Sequence, residues 1–325
     1  MLERRTYFTE NGAGWRLALH RYRDPQRLDL HRRPVVIVPG FAMNAYILGY
    51  HPTGRPLAAY LADRGFEVFC VELRGQGHAH PIPGRGRRRG FGLADVGVVD
   101  LGAVLDAVPR HSALPPGPVD AIGCSLGATY VFMQAAWRPD APLRRLVNLG
   151  GPLSWTTAHP LVRALAQLPL GLPAMRGTRT LARLALPAIA RVPGALDLYL
   201  NPRICDLSRP ESLVNTVDDP VARINFEIAR WIRQRDLVLD RRNLTTDLAR
   251  VAHPLLTIVA NADGIVPEAV VRTGDETIGA PAHARRVVVA GDAATPMAHA
   301  DLFISEPAER AVFAPLAAWL ASDIP

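Results

Sequence analysis

Apolar and polar residues roughly alternate along Trp15 to Tyr22, and Arg4 to Phe8 stands on the other side of Asn11-Gly12-Ala13-Gly14, a pattern that predicts a β-hairpin. The pattern then changes. Pro34-Val35-Val36-Ile37-Val38-Pro39-Gly40 is a short unbroken apolar run closed by glycine, as in a strand covered on both faces. Strand-like runs recur at Glu67 to Leu73, Val119 to Gly123, Leu143 to Leu149, Pro254 to Ala260 and Arg285 to Ala290. Helical periodicity occupies Leu57 to Arg64, Asp95 to Val108, Leu126 to Ala136 and Ala308 to Leu320. Strands separated by helices of this length pair in parallel through crossovers, so the expected class is α/β with a doubly wound, mostly parallel sheet. Residues 152–250 break the rhythm: they are rich in Leu, Ala, Pro and Arg, with helical patterning and no clear strand. The expected organisation is a core of residues 1–151 and 251–325, with 152–250 inserted as a helical cap or lid.

Composition narrows the chemistry. The 325 residues are 49% hydrophobic and 21% charged, which suits a soluble globular chain. All 37 basic residues are arginine, which excludes a Schiff-base lysine, a pyridoxal-phosphate anchor and a lysine-bearing phosphate loop. Three cysteines, Cys70, Cys124 and Cys205, are too few and too scattered for a disulfide framework or a metal knuckle. Met1 to Tyr7 lacks the apolar core of a secretory signal, and the most apolar stretch, Leu181 to Leu198, is broken by Arg183, Arg191 and prolines. A cytoplasmic protein is expected. The net charge of +7 has one dense contributor, Gly84 to Gly90, where Arg85, Arg87, Arg88 and Arg89 fall together. Without interleaved aromatics this reads as a solvated loop, and no nucleic-acid partner is expected.

Gly123-Cys124-Ser125-Leu126-Gly127 is a G-x-S-x-G placed between a buried strand and a helix. Such a turn is sharp enough to need glycine on both sides, and it leaves the hydroxyl exposed at the helix N-terminus. The bare pattern also occurs in structural turns; its placement here selects the functional reading. A serine hydroxyl needs a base, and the base needs a carboxylate to fix its tautomer. Asp263 follows one predicted strand and His299 the next, in the order Ser, Asp, His, and of the ten histidines only His299 is so placed. The backbone N–H groups of Phe41, just after Pro39-Gly40, and of Leu126 are the candidate oxyanion donors. Met43, Asn44 and Trp155 are candidate pocket residues, and Trp231 is expected on an amphipathic cap helix. His78-Ala79-His80 lacks further spaced ligands and reads as a solvated loop, so no metal and no cofactor are expected.

The segments Val35 to Asn44, Leu73 to His78, Gly123 to Gly127, Asn261 to Pro267 and His299 to Phe303 together resemble the α/β-hydrolase superfamily. The resemblance is closest to esterase- and lipase-like members, and extends to polyhydroxyalkanoate-synthase-like ones, whose cap ends in a segment similar to Asn225 to Asn243. It implies Ser125 as nucleophile, His299 as base, Asp263 as its partner, and Phe41 and Leu126 as oxyanion donors. Two departures, Pro39 where many relatives have histidine and Ala128 in place of a third glycine, remove no catalytic group. The polymer synthases carry cysteine at the nucleophile, whereas here the thiol, Cys124, is one residue earlier. A serine also argues against dehalogenase and epoxide hydrolase chemistry, which uses aspartate in such relatives.

The expected activity is therefore hydrolysis of carboxylic esters of a largely apolar substrate. Two alternatives stay open: an acyltransferase using the same triad, and a non-catalytic binding protein that keeps the fold. The apolar segment Leu161 to Leu200 reads as a lid over a lipophilic pocket or a peripheral contact with lipid.

Overall fold

The computed structural model describes residues 1–85, 90–167, 177, 180–181, 183–184, 189, 192, 194 and 196–322. Residues 86–89 of the arginine run and most of 168–195 of the expected lid lie outside the described residues. Strands β1 (Glu3–Glu10) and β2 (Trp15–Arg23) form the predicted hairpin, with Glu10 opposite Arg16. Its turn is held by Asn11, whose Oδ1 accepts from the N–H groups of Ala13 and Trp15.

The hairpin forms one edge of a sheet continued by β4 (Val68–Glu72), β3 (Val35–Val38), β6 (Val119–Cys124), β7 (Leu143–Leu149), β10 (Leu255–Ala260) and β11 (Arg285–Ala290), in that spatial order. The two pairings at the hairpin edge, β1 with β2 and β2 with β4, are antiparallel, and the rest of this path is parallel. A short β5 (His80–Pro81) adds to β2.

The unbroken apolar runs have a direct cause. Val36 and Val38 point into one core, with helices α2 (Leu101–His111), α3 (Leu126–Trp137) and α8 (Glu268–Thr277); Val35 and Ile37 point into the other, with α1 (Leu57–Ala62), α9 (Asp301–Ile304) and α10 (Ala314–Ala321). A strand covered on both faces has no polar face to display.

Between β7 and β10 lie α4 (Pro160–Ala166), α5 (Pro210–Val214), α6 (Ala222–Gln234) and α7 (Leu244–Leu248). A small hairpin, β8 (Val238–Leu239) with β9 (Arg242–Asn243), stands where no strand was expected, too short to leave a periodic signature. Helix α4 packs on α6, and α7 turns back onto α3 with Leu244 and Leu248 fully buried. Among the described residues no helix is long and apolar enough to cross a membrane.

Candidate active site

In a doubly wound sheet the carboxyl ends of the strands open onto the ligand site, and three such ends converge here. Ser125 lies between β6 and α3 with φ 53° and ψ −126°, a conformation that L side chains rarely adopt. The glycines on either side explain how it is reached. A Cβ on Gly123 would collide with the backbone of Ala128, and one on Gly127 with the carbonyl of Val38. Cys124, by contrast, points into the core, and burial pushes its thiol well above its ordinary pKa, which keeps the reactive thiolate from forming.

Asp263 occupies the loop after β10, and its Oδ1 accepts from the N–H groups of Ile265 at 2.9 Å and Val266 at 2.8 Å. This leaves Oδ2 to face His299, whose Nδ1 is 2.6 Å away, while His299 Nε2 is 2.8 Å from Ser125 Oγ. In the tautomer that donates Nδ1–H to Asp263, Nε2 accepts from the serine hydroxyl. All three residues are buried. In such an arrangement an imidazole can take the proton of a hydroxyl while the carboxylate fixes its tautomer and steadies the imidazolium.

The His299 loop is itself pinned. Asp301 accepts from the N–H groups of Ala298 at 2.7 Å and Asn201 and from the thiol of Cys205, and Ala300 N–H donates to Tyr199 O at 2.7 Å. Burial pushes Asp301 up to about 6, against those donors, and the neighbouring Asp263 adds to the rise.

Phe41 and Leu126 both border the space in front of Ser125. The strand end preceding Phe41 is fixed by Gln76, whose Oε1 accepts from Leu73 N–H and whose Nε2 donates to Gly40 O at 3.2 Å. Met43 reaches the same space and bridges to Val217. Asn44 does not. Its Nδ2 donates to Asn215 O and its Oδ1 accepts from Tyr46 N–H, so the residue anchors the loop and is not a pocket residue; its place next to Met43 put it on the wrong side of the backbone turn.

The space is a cavity of about 440 Å³. Its walls are almost entirely apolar: Trp155 and Trp231, edge to face with ring centroids 6.0 Å apart, join Ile228 and Ala229 of α6, Val162 of α4 and Ile265. Tyr199, with its ring centroid 6.4 Å from that of His299, also lines it. Sequence reasoning placed Trp155 here but missed Tyr199, Asp301 and the Gln76 brace, which act through contacts far apart in the chain.

The family model for the α/β hydrolase fold matches residues 33–294, and the chain belongs to that family. Solved structures with the same fold include a hydrolase from Pseudomonas aeruginosa PA01, 16% identical, with a TM-score of 0.60 and 98% of each chain covered. A thermophilic esterase from Thermogutta terrifontis is 20% identical, with a TM-score of 0.58 and 98% of each chain covered. A serine hydrolase from Cycloclasticus zankles is 13% identical, with a TM-score of 0.61, over 92% of this chain and 93% of that one. No curated protein matches the sequence.

Proposed function

We propose that this protein is a serine hydrolase that cleaves carboxylic esters with a largely apolar acyl or alcohol group. The observation that carries the reading is the unbroken chain Asp263, His299, Ser125, with its hydroxyl end opening on an apolar cavity. His299 takes the Ser125 proton as Oγ attacks the ester carbonyl, and the oxyanion forms against the N–H groups of Phe41 and Leu126. The imidazolium then protonates the leaving alkoxide, and water activated by the same His299 releases the acid from the acyl-enzyme. The helices α4 and α6 act as the cap that gives the site its apolar roof. Esterase and hydrolase activity among the structural relatives supports this class of reaction.

The test is labelling with a fluorophosphonate, mapped by peptide mass, with Ser125→Ala as control, followed by turnover of esters graded from acetyl to dodecanoyl. Labelling confined to Ser125 and turnover that rises with acyl length are expected. Absence of labelling across mildly acidic to mildly basic pH would reject the mechanism in favour of a binding protein. Ester products formed with an added alcohol would make it an acyltransferase.

A further inference from the structure

We propose that His20, Glu72 and His78 form a binding site for a divalent transition-metal ion of the zinc class. The site arises from strand register. His20 of β2 lies opposite Cys70 of β4, so Glu72, two residues further on, projects from the same face of the sheet, one diagonal step from His20. The chain then turns back through Gly75 and Gly77, both with positive φ, and delivers His78 onto the carboxylate. Glu72 Oε2 is 3.0 Å from His20 Nε2 and 2.9 Å from His78 Nδ1, and one ligand atom from each residue lies within 4.8 Å of the others.

Three features favour a cation over a plain hydrogen-bond cluster. His20 is buried, and its Nε2, although close to Glu72, makes no hydrogen bond of adequate angle among the described residues. Its Nδ1 is 2.9 Å from Thr6 Oγ1, and in the tautomer that donates Nδ1–H there the Nε2 lone pair is free for a cation. A metal ion between Nε2 and the carboxylate would bind both, and a partner on the far ring nitrogen is the usual companion of a ligating histidine. The carboxylate is oriented as well, by the N–H groups of His78 at 2.7 Å and Ala45 at 3.3 Å. Finally, a Cβ on Gly77 would overlap the Glu72 carboxylate, so glycine is what keeps this space open.

Two imidazole nitrogens and one carboxylate oxygen suit zinc, at about 2.0–2.2 Å each, with water in the fourth position on the exposed His78 side. None of the three residues lines the apolar cavity, so the ion would be structural. It would join β2, β4 and the loop whose Gln76 holds Gly40. His80, the other histidine of the pair, takes no part: its Nδ1 lies 2.9 Å from the His78 carbonyl and its ring packs against Phe8.

The experiment uses untagged protein dialysed against a chelator, then titrated with Zn²⁺ by calorimetry and with Co²⁺ by visible absorption. Expected are one ion per chain, Co²⁺ bands with the intensity of a four-coordinate site, and affinity at least tenfold weaker in His78→Ala, whose exposed side chain is dispensable for folding. His80→Ala should bind within twofold of the wild type. Failure of the wild type to take up a stoichiometric ion, or equal affinity in the wild type and His78→Ala, overturns the proposal.

Discussion

Gly40 packs directly beneath Ser125: a Cβ on it would stand 2.8 Å from Ser125 Cβ and 2.9 Å from the carbonyl oxygen of Cys124. The strand end that carries Phe41 and the turn that carries Ser125 are therefore in close contact, and neither can shift without the other. Gly40→Ala must push them apart by a few tenths of an ångström. A displaced oxyanion donor costs roughly 10²-fold when its bond is lost, and a small displacement forfeits part of that. We expect fluorophosphonate labelling of Ser125 to slow about 10- to 100-fold while the circular dichroism spectrum stays that of the wild type. A labelling rate equal to the wild type would show that Phe41 does not take part.

Asp263 holds its place through the N–H groups of Ile265 and Val266, both on Oδ1, and these bonds survive replacement by Asn. What changes is the atom facing His299 Nδ1, because an amide NH₂ on that side forces the ring into the opposite tautomer, with Nε2–H directed at Ser125. Asp263→Asn should therefore fold normally and lose about 10³- to 10⁴-fold in ester turnover. Turnover within tenfold of the wild type would mean that His299 is oriented by something else.

On the proposed ester-hydrolase reading the cavity limits acyl length, and one side chain can move that limit. Ala229 lies on α6 against the space in front of Ser125, and Ala229→Phe fills part of it with an aromatic ring. Each methylene of an acyl chain buried in an apolar pocket contributes about 0.8 kcal/mol, close to fourfold in kcat/KM. The variant should lose at least tenfold on decanoyl esters and change acetyl esters less than threefold. A uniform loss across the series would place the acyl chain elsewhere.

Much of this was legible in the sequence because it is local. The glycines around Ser125, the apolar runs of β3 and β10, and the loop positions of Asp263 and His299 are each signalled by a few adjacent residues. The structure places Ser125, Asp263 and His299 in hydrogen-bond contact, and brings Phe41, Met43, Leu126 and Trp155 to one cavity. What stayed hidden depends on register and long-range return of the chain. Asn44 is three residues from an oxyanion candidate yet faces Asn215, because its neighbour Met43 bridges to Val217 and turns the loop. His78 looked unpartnered beside His80, since its neighbours His20 and Glu72 come from two other strands. Tyr199 and Asn201 hold the His299 loop from far along the chain, Tyr199 through its carbonyl to Ala300 N–H and Asn201 through its N–H to the Asp301 carboxylate, and backbone groups leave no side-chain pattern to read.

The buried Asp301 makes the last prediction, on stability. Its pKa of about 6 in the folded chain stands above the ordinary value near 3.9, since burial penalises the charge more than its donors offset. Between roughly pH 4 and 6 the folded state therefore binds more protons at this group than the unfolded state, and its contribution to stability falls as pH rises through that window. Below the window both states are protonated, and above it both are charged, so the contribution is level on either side. Asp301→Asn keeps the shape and removes the titration. The stability of the wild type relative to the variant should thus decline by about 2 kcal/mol from pH 4 to pH 7, read from urea unfolding of both proteins. The carboxylates that favour folding when charged, such as Asp24 and Asp29, pull the other way in both proteins and cancel in the difference. A difference that does not change with pH would mean that Asp301 is charged throughout, and that its donors outweigh its burial.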